Sequence, residues 1–282
     1  MSKSKIVGLI IIGCGSRGEV YASYALKHPD RARVLGLAEI RPLTRHKLAS
    51  VHEKTIKSEY IVSNWRQINK KFSDIDSVII ALPDKEHKEA KIHFLKLGYH
   101  VLLEKTMATL LEDCKEIVEI SRENSNLINA VCHVLRYFGP CLKLKQLIDS
   151  GLVGQVANMN HTEPVGYWHF AHSFVRGNWH NVNDSSFSLL AKCCHDIDLL
   201  MYWMQKKCVK VSSFGSLFYF KEKNAPKNST MHCMTCPHEP ECAYSAKKIY
   251  LNKNKSMASH WPCNVVLLSE INNVLDNNVN DI

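Results

Sequence analysis

A six-residue segment near the start of the chain has the spacing G-x-G-x-x-G, which binds phosphate groups where it joins a strand to a helix. The segment comprises Gly13, Cys14, Gly15, Ser16, Arg17 and Gly18. Residues 6–12 before it are β-branched and aliphatic, as in a strand buried on both faces of a parallel sheet. After it, a helix is predicted up to Pro29, with Val20, Tyr24 and Ala25 on one face. The segment therefore predicts a dinucleotide site.

The three glycines and an acidic residue predict how such a ligand would be held. Gly13 permits the tight turn, Gly15 lets a pyrophosphate approach the backbone, and Gly18 lets the helix pack on the strand. Glu39, at the end of a second predicted strand, can accept hydrogen bonds from an adenosine ribose, which favours NAD. Arg41 could instead hold a 2′-phosphate, which favours NADP, or be a solvated residue at a helix start. The cofactor is therefore NAD or NADP, with NAD favoured.

Strands and helices alternate through the first half of the chain. Strands are predicted at 33–40, 77–83, 99–105 and 127–134. The helix after the strand at 77–83 has Ala90, Phe94 and Leu97 on one face. A capping box of Thr109 and Glu112 begins the helix after the strand at 99–105. This alternation predicts an α/β fold with a doubly wound parallel sheet of the Rossmann type.

The chain is predicted to form two domains, a Rossmann domain at 1–134 and an α+β domain at 135–282. In the second domain, helices are predicted at 140–150 and 189–205, and strands at 155–164 and 210–220. An aromatic and histidine-rich loop, 167–180, lies between them. This mixture is typical of a substrate domain that accompanies a nucleotide-binding fold.

Two residues have side chains suited to moving a hydroxyl proton. Lys105 ends a predicted strand, at the sheet edge where α/β folds bind their ligands, and would serve as a proton shuttle or hydroxyl anchor. His195 is a natural general base because imidazole titrates near neutral pH, and it shares a helix face with Lys192 and Leu199. The alternative interpretations are a solvent-facing lysine and a core histidine bonded to the backbone.

The aromatic loop and its surroundings offer hydrogen-bond donors for a polyhydroxylated ligand. The candidate substrate residues are Arg136, His172, Arg176, Trp179 and Lys192, with His169 nearby in the loop. The alternative for the loop is an aromatic packing cluster.

Three cysteines in the second half resemble part of a zinc site. Cys233, Cys236 and Cys242 could be joined by His232 or His238 as a fourth ligand. A second C-x2-C or H-x3-H pair is missing, so no metal is predicted and reduced thiols in a loop are favoured.

Composition argues against several classes of protein. The net charge of +9 is spread along the chain without a dense basic block interleaved with aromatics, which argues against a nucleic-acid partner. No apolar run approaches the roughly 20 residues of a membrane-spanning helix. The 11 cysteines are an odd number and do not form a secreted disulfide framework. A reduced, cytoplasmic compartment is therefore expected.

Five segments of the chain resemble the Gfo/Idh/MocA family, named after glucose–fructose oxidoreductase and inositol dehydrogenase. They are IIGCGSRG, AEIRP, IIALPDKEH, GYHVLLEKTMA and KCCHDIDLL. The resemblance extends from about Lys5 to about Pro262. It implies a Rossmann domain followed by an α+β domain with an open, mainly antiparallel sheet. It also implies NAD(P)-dependent hydride transfer to or from a hydroxyl or carbonyl of a sugar, cyclitol or related small molecule.

The resemblance implies roles for individual residues. Those that would line the cofactor cleft are Leu82, Pro83, His87, Glu104 and Lys105. Lys105 also matches the lysine of the family's E-K-P motif, which binds the reacting hydroxyl. His195 matches the catalytic histidine. Because family members often pair, a homo-oligomer is implied as well.

Three departures from the family pattern affect the predicted active site and the second domain. Thr106 replaces the proline of the E-K-P motif. Ala191 stands where many members have an aspartate paired with the histidine, and the adjacent Lys192 would compensate. After Trp261-Pro262 the resemblance fades into a polar, Asn-rich ending, so a shortened second domain with an incomplete sheet is expected.

These departures keep a second class of function open, a catalytically inactive dinucleotide-binding protein that acts as a sensor or partner subunit. A methyltransferase with the same glycine pattern is a third hypothesis, disfavoured by the strands after the glycines and by the E-K segment. Ligand preference separates the hypotheses, because the first two require a dinucleotide and the last requires S-adenosylmethionine.

Overall fold

A computed structural model of the chain describes residues 5–177 and 179–250. The chain divides into two compact units, with the boundary between Cys132 and His133. The first unit contains a six-stranded parallel sheet flanked by helices, which confirms the predicted Rossmann architecture. Among the described residues, no helix is both long enough and apolar enough to cross a membrane.

The sheet has the strand order of a doubly wound Rossmann fold. Its strands are β1 Val7–Ile12, β2 Ala32–Ala38, β3 Ile61–Val62, β4 Ser77–Ile80, β5 His100–Leu103 and β6 Asn129–Val131. They lie in the order β3-β2-β1-β4-β5-β6, and all neighbours are parallel. The order reverses between β1 and β4, and α/β sheets bind ligands beyond the carboxyl ends of the strands at such a reversal.

Side chains of β1 alternate between two apolar clusters, one on each face of the sheet. The helices of this unit are α1 Ser16–Lys27, α2 Pro42–Val51, α3 His87–Lys96 and α4 Leu111–Glu123. Ile10 and Ile12 pack with residues of α3 such as Phe94. Leu9 and Ile11 pack on the opposite side with residues of α1 and α2. Because both faces are covered by helices, the strand is apolar throughout, as the sequence predicts.

Two local predictions in this unit are wrong. The face that α1 buries consists of small residues, Ala22 and Ala25 with Gly18, while Val20 and Tyr24 are exposed. Small side chains let the helix lie close to the sheet, so they take the buried face. The capping box is also not formed, because α4 has Leu110 at its N-cap and no side chain caps it.

The second unit is helical in its described part. Its helices are α5 Gly139–Asp149, α6 Tyr167–Phe170, α7 Ser188–Ala191, α8 Cys194–Met204 and α9 Ala246–Tyr250. A π-helical turn, Ala171–Val175, follows α6 directly. Helices α5 and α8 contact each other, and the Trp203 indole N–H donates to the Cys141 carbonyl oxygen at 3.2 Å.

The strands predicted at 155–164 and 210–220 are wrong, and the described residues of this unit form no antiparallel sheet. A strand is stabilised by cross-strand partners, and neither segment pairs with another among the described residues. Val211 and Phe214 are 79% and 97% exposed. The chain after Pro262, where a shortened sheet is expected, lies outside the described residues.

The helix predicted at 189–205 is interrupted. It forms as α7 and α8, with Lys192 and Cys193 between them. The N–H of Asp196 donates to the Cys193 carbonyl oxygen three residues back, which starts a new helix. The interruption removes the regular spacing that would place Lys192 on one helix face with His195.

Candidate functional site

The glycine turn lies between β1 and α1, beside the reversal of strand order. Gly13 has a φ of +84°, which favours glycine, and a Cβ there would lie 2.4 Å from the Ala81 carbonyl oxygen. A Cβ on Gly18 would lie 2.0 Å from the Gly13 carbonyl oxygen. Both positions therefore require glycine for the turn and for the packing of α1, as the sequence predicts.

The backbone beside Gly15 is open. Gly15 is the N-cap of α1, and no side chain forms a capping hydrogen bond there. A Cβ on Gly15 would meet only the Nη2 atom of Arg41, at 3.5 Å. An uncapped helix start with space in front of it and a guanidinium nearby fits the pyrophosphate of a dinucleotide. Ser16 is half-buried and Arg17 exposed at the same turn.

Glu39 follows β2 directly and is 7% exposed. Its carboxylate accepts hydrogen bonds from the Cys14 N–H at 2.8 Å and from the Arg41 N–H at 3.0 Å and Nε at 2.9 Å. Burial by itself raises the pKa of Glu39, but the hydrogen bonds and charge of Arg41 outweigh it and hold the pKa below its ordinary value. The carboxylate is therefore ionised at neutral pH, and Arg41 is bound to it.

Cys14 is a packing residue within the turn. Its side chain is 3% exposed, and burial followed by the charge of Glu39 raises the pKa of its thiol. The thiol therefore stays protonated, and only the backbone of this residue belongs to the candidate site.

Glu104 joins the end of β5 to α1. Its Oε1 atom accepts hydrogen bonds from Arg17 Nε at 2.8 Å and from the Tyr21 hydroxyl at 2.7 Å. Its Oε2 atom accepts the Lys105 N–H at 2.7 Å. Because Glu104 is 5% exposed and bound to three donors, it connects helix α1 to the backbone of Lys105. The contact between Tyr21 and Glu104 is not predicted by the sequence, although Tyr21 lies one helical turn after Arg17.

His87 is enclosed in the fold at the start of α3. Its side chain is fully buried. Its Nδ1 atom lies 2.5 Å from the Thr106 carbonyl oxygen, and its Nε2 atom lies 2.9 Å from the Leu82 carbonyl oxygen. His87 therefore ties together the two loops that follow β4 and β5. Of the other residues expected there, Leu82 is half-buried and Pro83 is exposed.

Lys105 lies in the loop after β5, at the ligand-binding edge of the sheet. Its side chain is half-buried, and its peptide bond to Thr106 is cis. Thr106 is 4% exposed. The segment is thus anchored on both sides of the lysine, by Glu104 before it and by the His87 contact with Thr106 after it.

In the second unit, His195 is one residue into α8 and has a second histidine beside it. The rings of His133 and His195 lie edge to face, with centroids 5.8 Å apart. The Nδ1 atom of His133 lies 3.9 Å from a carboxylate oxygen of Asp198. The sequence alone shows that Ala191 replaces the aspartate, but it does not predict the contact between His133 and Asp198, which are 65 positions apart in the chain.

Two of the candidate substrate residues form ion pairs within the second unit. The Arg136 guanidinium binds both carboxylate oxygens of Asp198, at 2.7 and 2.6 Å. The Lys192 amine lies 3.3 Å from Glu163. These pairs position the start of α8 and the segment before it, so the direct substrate contacts predicted for both cations would have to compete with carboxylates.

The aromatic loop is tied to the 233–250 segment. The Nη2 atom of Arg176 donates to the Tyr244 carbonyl oxygen at 2.7 Å, and His172 Nδ1 lies 2.5 Å from the Tyr250 hydroxyl. Burial, with the nearby charge of Arg176, lowers the pKa of His172 to about 4, so its ring is neutral at physiological pH. Trp179 is half-buried within this loop, and its backbone N–H donates to the Ser173 carbonyl oxygen at 3.2 Å.

The described cysteines are free thiols. Across residues 5–177 and 179–250, no group of three or more His, Cys, Asp or Glu residues is arranged to hold a metal ion. Cys233 instead accepts a hydrogen bond from the Ala246 N–H at 3.5 Å and packs against α9.

Residues 7–131 match the model of the Gfo/Idh/MocA oxidoreductase family, which has an NAD-binding Rossmann fold. An uncharacterized oxidoreductase of Streptococcus pneumoniae is 30% identical over 131 residues, which are 46% of this chain and 34% of that protein. A 2,7-anhydro-N-acetylneuraminate hydratase of Mediterraneibacter gnavus is 26% identical over 200 residues, which are 71% of this chain and 50% of that protein. The chain thus spans between a third and a half of the length of these relatives.

Solved structures support the same fold. Scyllo-inositol dehydrogenase from Lactobacillus casei, with bound NAD(H) and scyllo-inositol, has a TM-score of 0.60 and 20% identity, and the match covers 72% of this chain and 57% of that one. The WlbA dehydrogenase from Bordetella pertussis, in complex with NADH and UDP-GlcNAcA, has a TM-score of 0.55 and 21% identity, with 72% and 56% covered. Through residues 7–131, this chain resembles the Gfo/Idh/MocA family of oxidoreductases, which has an NAD-binding Rossmann fold.

Proposed function

We propose that the protein is an NAD-dependent oxidoreductase that acts on a secondary hydroxyl or the corresponding carbonyl of a small polyhydroxylated molecule. The observation that carries the proposal is the glycine turn, where an uncapped helix start faces open space at Gly15 and an ionised Glu39 lies beside it. Binding of a pyrophosphate requires the first feature, and binding of a ribose is favoured by the second.

The choice of NAD over NADP rests on Glu39 and Arg41. An ionised carboxylate accepts hydrogen bonds from ribose hydroxyls and repels a 2′-phosphate. Arg41, which could bind that phosphate, is bound to Glu39 through its Nε atom and its backbone N–H. We therefore expect NADH to bind more tightly than NADPH. When bound, the nicotinamide ring supplies the hydride acceptor or donor.

Lys105 and His195 are the proposed catalytic residues. Lys105 would hold the oxygen of the reacting hydroxyl and favour its negative charge, because its amine is a cation with three donors. His195 would take the hydroxyl proton on its imidazole and return it in the reverse direction. Glu104 and His87 would act by fixing the backbone on either side of Lys105.

The substrate class is taken from relatives and from the second unit. Similar structures contain a cyclitol or a nucleotide sugar. In this chain, the half-buried rings of His172 and Trp179 are the candidate partners for hydroxyl groups. A sugar or cyclitol is therefore the proposed substrate class.

Single substitutions test the catalytic roles. The full chain is screened with NAD and a panel of cyclitols and sugars, and turnover is followed by NADH absorbance. We expect Lys105→Ala and His195→Ala each to lower kcat by at least about 100-fold, the usual contribution of a positioned proton-transfer group. The affinity for NADH should stay within about two-fold in both variants. Lys96→Ala and His46→Ala, at exposed positions, are the matched controls.

The outcomes separate the two classes of function. NADH binding without turnover of any member of the panel would contradict the enzyme and favour the catalytically inactive binding protein. If turnover occurs but survives both substitutions, the catalytic assignment is wrong.

A further inference from the structure

A cavity of about 360 Å³ lies in the Rossmann unit, between α3, α4 and β6. Its walls are largely apolar and include Met107, Ile117, Val118 and Val131. The residues of the glycine turn and Glu39 do not line it. Its volume lies within the range of roughly 300–1,000 Å³ that is typical of small-molecule sites. We call it the Lys91 pocket, after the cation in its wall.

Lys91 lies on α3, and its side chain is 2% exposed. Burial alone lowers the pKa of its amine to about 8, because no neighbouring charge offsets the loss of water. Among the described residues, no carboxylate contributes to the pKa shift of Lys91. A buried lysine normally has such a partner, since an unpaired buried cation is costly.

The polar groups around the pocket favour an anion. Arg122 from α4 also lines it, and no Asp or Glu does. Ser121 lines it too, although its Oγ atom is itself enclosed and has no hydrogen-bond partner in the described structure. Two cations match the oxygens of a carboxylate, while the walls match an apolar body.

We propose that the Lys91 pocket binds a small monocarboxylate with an apolar body. The carboxylate pairs with the Lys91 amine. The hydrocarbon part packs against Met107, Ile117 and Val131. Binding here is separate from the dinucleotide site, although Met107 is only two residues after Lys105 in the chain.

Calorimetric titration of the full chain at neutral pH tests the proposal. The probes are hexanoate, hexanamide and acetate, which separate the charge from the apolar body. Hexanoate should bind at one site, and the neutral hexanamide and the short acetate should each bind at least about ten-fold more weakly. Lys91→Met should weaken hexanoate by at least about ten-fold, since methionine keeps the side-chain volume but removes the cation. Lys96→Met, on the exposed side of α3, should leave its affinity unchanged.

Three results would overturn the proposal. They are the absence of hexanoate binding to the folded wild-type chain, equal affinity for hexanoate and hexanamide, or undiminished hexanoate binding by Lys91→Met. Arg122→Gln provides a second variant, and we expect it to weaken hexanoate by a smaller factor while leaving hexanamide unaffected. Urea denaturation of each variant verifies that the protein is folded at the titration temperature.

Discussion

At the residue scale, the three glycines of the phosphate-binding turn have different neighbours. Added side chains at Gly13 and Gly18 would collide with backbone carbonyl oxygens, at 2.4 and 2.0 Å. Gly15 has an ordinary φ of −67° and open space beside it. Glycine is therefore required for folding at two positions, and for the close approach of a ligand at the third.

This difference predicts opposite behaviour for two alanine variants. Gly15→Ala should keep its free energy of unfolding within about 0.5 kcal/mol of the wild type, because nothing in the protein is displaced. It should lose NADH affinity by at least about ten-fold, because the new methyl group occupies the space of the pyrophosphate. Gly13→Ala should instead be destabilised by about 2 kcal/mol or more, owing to its positive φ and the clash with Ala81.

Urea denaturation and NADH titration of the two variants check this prediction. If Gly15→Ala binds NADH as tightly as the wild type, the pyrophosphate does not lie against this turn.

His87 has a second residue-scale consequence. A neutral imidazole can donate through only one ring nitrogen, but both nitrogens of His87 face carbonyl oxygens. His87→Leu should destabilise the protein by roughly 2–4 kcal/mol, because it removes the hydrogen bond to one of the two carbonyls, of Leu82 or Thr106, and the ring contact with the other. The change is measured from urea denaturation midpoints, with the exposed His46→Leu as the control. A midpoint close to that of the wild type would mean that His87 does not hold the two loops.

At the element scale, the strands of the first unit could be predicted because each is apolar throughout and ends in turn residues. Residues 6–12 predict β1 to within one residue of Val7–Ile12. In the second unit, the helix predicted at 140–150 forms as α5, but the predicted strands do not form. The apolar and aromatic residues at 210–220 favour a strand locally, but a strand also requires a partner, and pairing is not encoded in the segment itself.

The buried Lys91 on helix α3 predicts how the stability of the protein changes with pH. The pKa of Lys91 is about 8 in the folded chain and about 10.5 when the chain is unfolded. Below pH 8 the amine is protonated in both states, so burial of the cation destabilises the fold fully. As the pH rises from 8 towards 10.5, the folded state loses its proton first and the destabilisation disappears. Lys91→Met should therefore stabilise the protein at pH 7, by up to roughly 3 kcal/mol.

The stabilisation should shrink as the pH approaches 10.5. Free energies of unfolding for wild type, Lys91→Met and Lys96→Met across this pH range measure the effect. A gain that does not depend on pH would mean that the amine is not buried as a cation.

In the whole molecule, the site residues of the first unit could be predicted from the sequence more fully than those of the second unit. The glycine spacing, Glu39 and Lys105 are local in sequence, and their positions follow from the strand order of the sheet. The contacts of Arg136 with Asp198, of His133 with His195 and of Arg176 with Tyr244 join residues more than 60 positions apart. Because no local pattern encodes such pairs, the sequence alone predicts Arg136 and Arg176 as substrate ligands. In the structure, both are bound to other residues of the second unit.

The central claim is that this chain binds a dinucleotide at the glycine turn. The direct test is titration of the 282-residue chain with NADH, followed by nicotinamide fluorescence, with Gly15→Ala and NADPH as comparisons. We expect saturable one-to-one binding of NADH, weaker binding of NADPH and a marked loss of NADH affinity in Gly15→Ala. A folded protein that binds neither nucleotide would contradict it.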